Sequence, residues 1–269
     1  MSLFHAIIVG AVQGLTEFLP VSSDGHLVIT ELFLRSSLRG ADALGFDLLL
    51  HAASLLALLL CDSCRWTELA RGALIKNSAA RRVIMLLILG TVPGAVAGLL
   101  FKGVIETEMR TLMAAGVGFL VTAAVISGSE FLARKRRTPQ CASDHPRISL
   151  LQTLIIGTAQ AVAILPGVSR SGLTIGAGQM LGLSRADALN FSFLLAVPII
   201  AGAVADAGIG VLRGSIILPA LSVCIAGFSA AFLTSVLAIV VLRKLVARHS
   251  LAWFALYLVP LGIVLMKLS

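Results

Sequence analysis

Six apolar blocks dominate the chain: Phe46–Cys61, Val83–Phe101, Thr111–Leu132, Ala188–Ala205, Ile216–Leu242 and Leu251–Met266. Most approach the ~17–25 residues that carry a helix across a bilayer. Phe46–Cys61 is a little short, and Ile216–Leu242 is long enough to tilt or bend. Six such runs could not all be buried in the core of so small a soluble protein, so the pattern predicts an all-α polytopic membrane protein. Shorter apolar segments sit in pairs around polar, proline-containing turns: Leu3–Leu19 with Leu27–Leu34, and Leu150–Leu165 with Leu173–Leu183. A residue before proline disfavours helix, so each first segment is expected to break at its Leu-Pro step, Leu19-Pro20 or Leu165-Pro166. Non-helical backbone at membrane depth is tolerated only within protein or beside a cavity. Both pairs therefore read as re-entrant hairpins, over about residues 3–34 and 150–183.

The order of elements repeats. Ala41-Asp42-Ala43-Leu44-Gly45-Phe46 aligns with Ala186-Asp187-Ala188-Leu189-Asn190-Phe191. Upstream, Gln13 aligns with Gln160, Leu19-Pro20 with Leu165-Pro166, and Ser22-x-x-Gly25 with Ser169-x-x-Gly172. The chain divides into a first repeat, 1–133, a polar basic linker, 134–147, and a second repeat, 148–269. Each repeat is one hairpin plus three transmembrane helices. An odd number of crossings turns the second repeat upside down, giving an inverted-topology repeat. The charges agree. One face collects Arg65, Arg71, Lys76, Arg81, Arg82, Arg134, Lys135, Arg136, Arg137, Arg147, Arg185, Arg243, Lys244 and Arg248. The other holds Arg35, Arg39, Lys102, Arg110, Arg213 and Lys267. The rich face is predicted to be cytoplasmic, which puts both termini outside. Hairpin one then enters from outside, hairpin two from the cytoplasm, and their tips meet near the midplane.

Composition supports this reading. Hydrophobic residues make up 58% of the chain and charged residues 13%, about half the soluble norm of ~25%; the mean hydropathy is +1.01. The net charge of +8 does not point to nucleic acid, because the basic residues fall in loops between spans. No Lys or Arg precedes Arg35, which argues against a cleaved signal peptide. Cys61, Cys64, Cys141 and Cys224 are too few and scattered for a disulfide framework.

Two polar strings interrupt the apolar sequence. The first is Gln13-Gly14-Leu15-Thr16-Glu17 continuing through Pro20-Val21-Ser22-Ser23-Asp24-Gly25-His26. The second is Pro166-Gly167-Val168-Ser169-Arg170-Ser171-Gly172-Leu173-Thr174. Ionisable groups at membrane depth cost roughly 2.5 to 3.5 kcal/mol each on insertion scales, so these must pair, face a wet cavity or do chemistry. Gln13 and Glu17 share a helix face. Their oxygens suit a hard divalent cation, or Glu17 acts as a base. Ser22, Ser23 and His26 with Glu17 supply a nucleophile and acid/base partners. The plainer reading of either serine is a cap on the helix beginning near Gly25, and Asp24 is either a cap or an added site charge. In the second string Ile164 stands where Glu17 would align. Arg170 offers a bidentate fork to phosphate. Ser169, Ser171 and Thr174 add hydroxyl donors, and the following helix start aims free amides at an anion. The plainer reading of Arg170 is a structural pair with Glu17 or Asp24. Together the strings suggest acid/base chemistry on one tip and anion binding on the other, suited to a lipid-borne phosphate.

With these motifs in place, the chain resembles the bacterial undecaprenyl pyrophosphate phosphatase family, the bacitracin-resistance proteins, over nearly its whole length. Beyond the two strings, the resemblance rests on Phe46-Asp47 through Leu59, Gly90-Thr91-Val92-Pro93-Gly94, and Ser184-Arg185 through Pro198. It implies an enzyme that removes the terminal phosphate of undecaprenyl pyrophosphate and so recycles the carrier lipid for cell-wall polymers. It also implies a divalent cation, Mg²⁺ or Ca²⁺, residence in the bacterial inner membrane, and a site open to the periplasmic side. Residue by residue, it makes Glu17, Ser23, His26 and Arg170 catalytic. Ser22, Ser169, Arg170, Ser171 and Thr174 bind the pyrophosphate, and Glu17 with Gln13 holds metal. Many members carry Glu at the position of Gln13, and a small or hydroxyl residue at that of Asp24. The type 2 phosphatidic acid phosphatases share Ser-Gly-His and Ser-Arg strings but need a second His downstream of the Arg, and Arg170 is followed by Ser-Gly-Leu-Thr-Ile.

The reading calls for undecaprenyl pyrophosphate and the bilayer as partners, no nucleic acid, and leaves a homodimer open. The rival is a polyprenyl-phosphate transporter or flippase, which an inverted repeat with broken helices also suits. The Ser–His–Glu set favours the enzyme, since transport needs no nucleophile. Within the enzyme reading, Ser23, His26 and Glu17 stay interchangeable as nucleophile and base. The charge distribution predicts that single cysteines at Ser2 and Ser269, in a cysteine-free background, react with an impermeant maleimide in whole cells. One at Ser143 should not, and labelling of Ser143 with both ends protected would invert the topology.

Overall fold

The computed structural model of the chain describes residues 1–34, 41–105, 109–136 and 148–269. The described residues form helices and turns, without strands. The first hairpin is α1 (Leu3–Phe18) and α2 (Ser23–Leu34). The helix α1 starts on Ser2, whose hydroxyl accepts from the His5 amide at 3.2 Å. It stops at Leu19, which is extended (φ −65°, ψ 146°) as a residue before proline should be. The second hairpin is α7 (Leu150–Val162) and α8 (Arg170–Met180). A capping box opens α7: Ser149 Oγ accepts from the Gln152 amide at 3.1 Å, and Gln152 Oε1 accepts from the Ser149 amide at 2.8 Å. This helix does not wait for Leu165-Pro166. It gives out after Val162 and tightens into i→i−3 bonds from the amides of Ala163, Ile164 and Leu165. Pro166 has no N–H with which to satisfy the Val162 carbonyl, so the preceding turn supplies it.

The remaining helices are α3 (Ala41–Cys61), α4 (Ser63–Leu74), α5 (Ser78–Val104), α6 (Leu112–Lys135), α9 (Arg185–Leu212), α10 (Leu221–Arg248) and α11 (Ala252–Leu268). Four of them, α5, α6, α9 and α10, are long and apolar enough to cross a membrane, and α3 with α4 makes a fifth candidate bent by 76°. At 17 residues, α11 is shorter. The sequence assigns the basic stretch after Cys61 to a loop. The structure instead folds much of it into α4, whose Arg65, Glu68 and Arg71 suit the polar edge of the bundle. Asp62, at the bend, pairs with Arg243 of α10.

Small residues set the crossings, as they do where helices pack without a hydrophobic drive. A Cβ on Gly10 would strike the Gly227 carbonyl, and one on Gly14 the Ala231 carbonyl, so α1 and α10 lie backbone to backbone in the same direction. Phe46 and Leu50 pack over Gly227, and Ser235 Oγ donates to Ser54 Oγ at 3.0 Å, so α3 runs with them. In the same way Gly157 of α7 lies on Gly90 of α5, and Gly90 and Gly94 take Leu195 and Ile199 of α9. Thus α5, α7 and α9 form a second parallel set. The short turn from α9 into α10 makes the two sets antiparallel. Gly116 meets Gly262 and Met266 while Gly262 meets Leu120, so α6 and α11 run oppositely. Each second-half helix, α7, α8, α9, α10 and α11, therefore opposes its counterpart among α1, α2, α3, α5 and α6. That is the inverted repeat. The α1 start and the α11 end lie on one face. The linker expected at 134–147 falls largely outside the described residues, as do Arg35 and Arg39.

At the other face a buried polar clamp ties hairpin two to the bundle. Glu130 of α6 accepts from Arg185 Nε at 2.7 Å and Nη2 at 2.6 Å, from Gln179 at 3.1 Å and from Ser250 at 2.6 Å. Removing one member of a buried, hydrogen-bonded ion pair leaves the other uncompensated. Glu130→Ala is expected to cost about 3 kcal/mol, read as a lowered unfolding midpoint in detergent. An unchanged midpoint would show that the clamp contributes nothing.

Candidate active site

The two hairpin tips touch. Ser171 Oγ donates to the Leu19 carbonyl at 2.9 Å. Gly167 (φ +80°) lies against the Ala115 backbone of α6, where a Cβ would not fit. Thr122 Oγ1 accepts from the Ser169 amide at 2.9 Å, which pins tip two to α6. On tip one Ser22 has φ 69°, a left-handed conformation uncommon for a residue with a side chain. Held strain of this kind gathers at functional sites, and here it turns the chain so that Ser23 opens α2 facing Glu17.

Glu17 is the hub, and it is buried. Its Oε2 accepts from Ser23 Oγ at 2.8 Å and from Gln13 Nε2 at 3.0 Å, while Oε1 accepts from Arg170 Nη2 at 2.8 Å. His51 Nε2 stands 3.7 Å from Oε2. The Nδ1 of His51 lies 2.8 Å from the Asp47 carbonyl, so Nδ1 must carry the proton there and Nε2 is the atom turned to the carboxylate. Arg170 sits over the Phe18 ring, 6.0 Å from its centroid. Its Nη1 is buried and has no hydrogen-bond partner. A guanidinium with one nitrogen engaged and the other unspent is poised for an anion. Glu17, Ser22, Ser23, Asp24, Ser169 and Arg170 share a pocket of about 160 Å³ with His51. An adjoining, mainly apolar cavity of about 580 Å³ extends between α3, α5, α7 and α9. One end of it reaches Arg110, which bonds Asp47 at 3.1 Å and pairs with Glu31 at 3.6 Å.

Other expected site residues are placed elsewhere. His26 is not brought to Glu17: its Nδ1 lies 2.7 Å from the Ser22 carbonyl and its Nε2 2.8 Å from the Tyr257 hydroxyl. Its ring rests against Phe119 and Tyr257. The helix α2 thus turns His26 to α6 and α11 although it stands only three residues past Ser23. Ser171 bonds tip to tip, and Thr174 Oγ1 lies 2.6 Å from Ser192 Oγ of α9, so neither lines the pocket. Gln13 does reach Glu17, but as a donor rather than from within the pocket. The residue that sequence reasoning missed is His51. Its signal was present: an imidazole inside the apolar run 46–61, opposite Ala196 in the repeat alignment.

Among the described residues no cluster of three or more His, Cys, Asp and Glu forms a metal cage. The pocket carboxylates, Glu17 and Asp24, fit a different mode, in which a hard cation is held by one or two carboxylates together with phosphate oxygens of a ligand. Gln13 directs its amide N–H to Glu17 and lies outside the pocket lining, while its amide oxygen is buried without a partner.

Comparison with known proteins bears on this geometry. Residues 6–264 match the family model described as Bacitracin resistance protein BacA. The chain is 37% identical over 268 residues to the undecaprenyl-diphosphatase of Elusimicrobium minutum, covering 98% of this chain and 97% of that protein. It is 38% identical over 272 residues to that of Gemmatimonas aurantiaca, with 98% and 97% covered. It is 36% identical over 275 residues to that of Bacteroides fragilis, with 100% and 99% covered. Both the match along the chain and the identities are enough to place it: this protein belongs to the bacitracin resistance protein BacA family.

Proposed function

We propose that this protein is an undecaprenyl-diphosphatase, a membrane phosphatase that hydrolyses the terminal phosphate from undecaprenyl pyrophosphate. The observation that carries the reading is the unpartnered Arg170 Nη1 beside a Ser23–Glu17 hydrogen bond of 2.8 Å. An anion-binding nitrogen and an activated hydroxyl open onto one pocket, which a transporter does not need. The relatives' names point the same way. The lipid product returns to cell-wall synthesis. The site opens to the outer side of a bacterial inner membrane, because the basic face is the cytoplasmic one.

The geometry supports the following course. Ser23 Oγ attacks the distal phosphorus and gives its proton to Glu17 Oε2. The bond from that phosphorus to the bridging oxygen breaks, and the lipid leaves as its monophosphate. His51, facing Glu17, takes the proton on and passes it to the departing phosphate. Water then attacks the phosphoserine, Glu17 accepts its proton and returns it to Ser23, and inorganic phosphate is released. Arg170 stabilises the charge on the transferred group through the fork that Glu17 only half occupies. Ser22 and Ser169 flank the phosphate. A divalent cation, Mg²⁺ or Ca²⁺, held by Glu17 and Asp24 would neutralise pyrophosphate charge. Ser171 and Thr174 keep the tips in register, and His26 holds the Ser22 carbonyl that sets the strained turn.

Arg170→Ala is expected to lower kcat by at least ~10², about 2.7 kcal/mol, with Lys rescuing poorly because it lacks the fork. Ser23→Ala should lose most phosphate release while unfolding normally, and Glu17→Ala should lose it with a lowered unfolding midpoint, because it leaves Arg170 unpaired. Near-parental turnover in all three would return the transporter reading to first place. The two imidazoles separate by their pH–rate profiles. His51→Gln should remove an ionisation from the profile, whereas His26→Ala should lower kcat and leave its shape unchanged. The reverse pattern would exchange their roles.

A further inference from the structure

The larger cavity contains a polar group that the reaction above does not use. Gln160, on the last turn of α7, is 4% exposed, and neither its amide oxygen nor its nitrogen has a partner. It lines the apolar cavity of about 580 Å³. The repeat explains how the amide came to be free. Gln13, its counterpart, donates to Glu17 one turn further along its helix, but one turn beyond Gln160 stands Ile164, which accepts nothing. Gly94 lies beside the amide, where a Cβ would press on its Nε2 at 3.4 Å, so the space around it is kept open. The hydroxyl of Thr91, on the same cavity wall, is already spent on the Leu87 carbonyl at 2.7 Å.

A buried amide with two donors and an acceptor unmet is costly unless something arrives to bond it. The ligand must carry a polar group next to an apolar body, because the rest of the wall near Gln160 is apolar. Ala163, one turn beyond Gln160, lines both this cavity and the small pocket of Ser23, and so does Arg170. A group joined directly to the phosphoryl held by Arg170 therefore enters the space that Gln160 faces. We propose that Gln160 is the polar anchor of a second subsite, which binds the lipid-linked phosphate while the apolar wall takes the first prenyl units. This rests on the pyrophosphatase reading. The two repeats then divide the substrate between them. Gln13 orients the base that acts on the distal phosphate, and Gln160 holds the phosphate that stays on the lipid.

The test compares two inhibitors of pyrophosphate hydrolysis by the full-length protein in detergent. Undecaprenyl monophosphate presents the lipid-linked phosphate. Inorganic phosphate reaches the Arg170 pocket without it. Gln160→Met keeps the bulk and removes the amide; Gln160→Glu keeps the shape and adds a like charge. A hydrogen bond from a neutral amide to an anion is worth roughly tenfold or more in affinity. Gln160→Met should therefore weaken inhibition by the lipid monophosphate about tenfold, and Gln160→Glu more, with inhibition by inorganic phosphate unchanged in both. The unfolding midpoint of Gln160→Met without ligand should hold or rise, since an unmet polar group has gone. Raising of that midpoint by the lipid monophosphate should shrink in both variants, a readout that needs no turnover. Equal changes for both inhibitors, or no change for either, would overturn the proposal. So would a lowered Gln160→Met midpoint with inhibition intact, which would make Gln160 a packing residue or the seat of a water only. Absence of phosphate release from the parent protein would overturn the pyrophosphatase reading instead, and the midpoint comparison would still decide whether Gln160 binds a lipid phosphate.

Discussion

A carboxylate and a guanidinium buried at membrane depth have to meet, and they lie on different hairpins more than half the chain apart. Leaving either one unpaired costs about 3–5 kcal/mol in a protein interior, so the Glu17–Arg170 pair at 2.8 Å is a constraint on the whole bundle. It requires that both hairpins stop at the same depth and that their tips dock. The Ser171–Leu19 bond, the close seat of Gly167 on Ala115 and the left-handed Ser22 all serve that docking. The helix crossings at Gly10, Gly14, Gly90 and Gly157 bring the backbones near enough for the tips to reach. Glu17 occupies only half of the Arg170 fork, and the other nitrogen, Nη1, is buried without a partner.

The repeat supplies the scaffold, and its departures from symmetry supply the chemistry. Glu17 faces Ile164, Asp47 faces Ser192, and His51 faces Ala196 across the alignment. On the first side these positions build a carboxylate with an imidazole beside it. On the second side the same positions became packing, with Ser192 bonded to Thr174 and Ala196 buried in the core. A second polar cluster joins Glu130 of the first repeat to Arg185, Gln179 and Ser250 of the second, and no buried side-chain atom there lacks a partner. The two clusters differ in satisfaction: the pocket and cavity hold buried donors without partners, and the clamp does not.

Much of this was legible in the chain. Apolar block lengths set the helices, the Leu-Pro steps set the hairpin breaks to within a few residues, and the alternation of basic loops set the inverted topology. These are local properties, because lipid leaves backbone polar groups no partner outside the helix itself. The motif strings also named Glu17, Ser22, Ser23, Ser169 and Arg170, which the fold gathers in one pocket. The amphipathic α4 was read as loop because its charges masked its helical face.

What the sequence by itself determined is therefore the class of fold, the direction of each helix and the two polar tips that meet at the pocket. Only the tertiary structure decided which way each polar side chain points. It turned His26 to Ser22 and Tyr257, brought His51 to Glu17, and left Gln160 without a partner in a cavity. Helical spacing says which residues share a face, but not which neighbour that face will meet. That depends on how close the glycine crossings let distant helices come, and no stretch of the chain contains that distance.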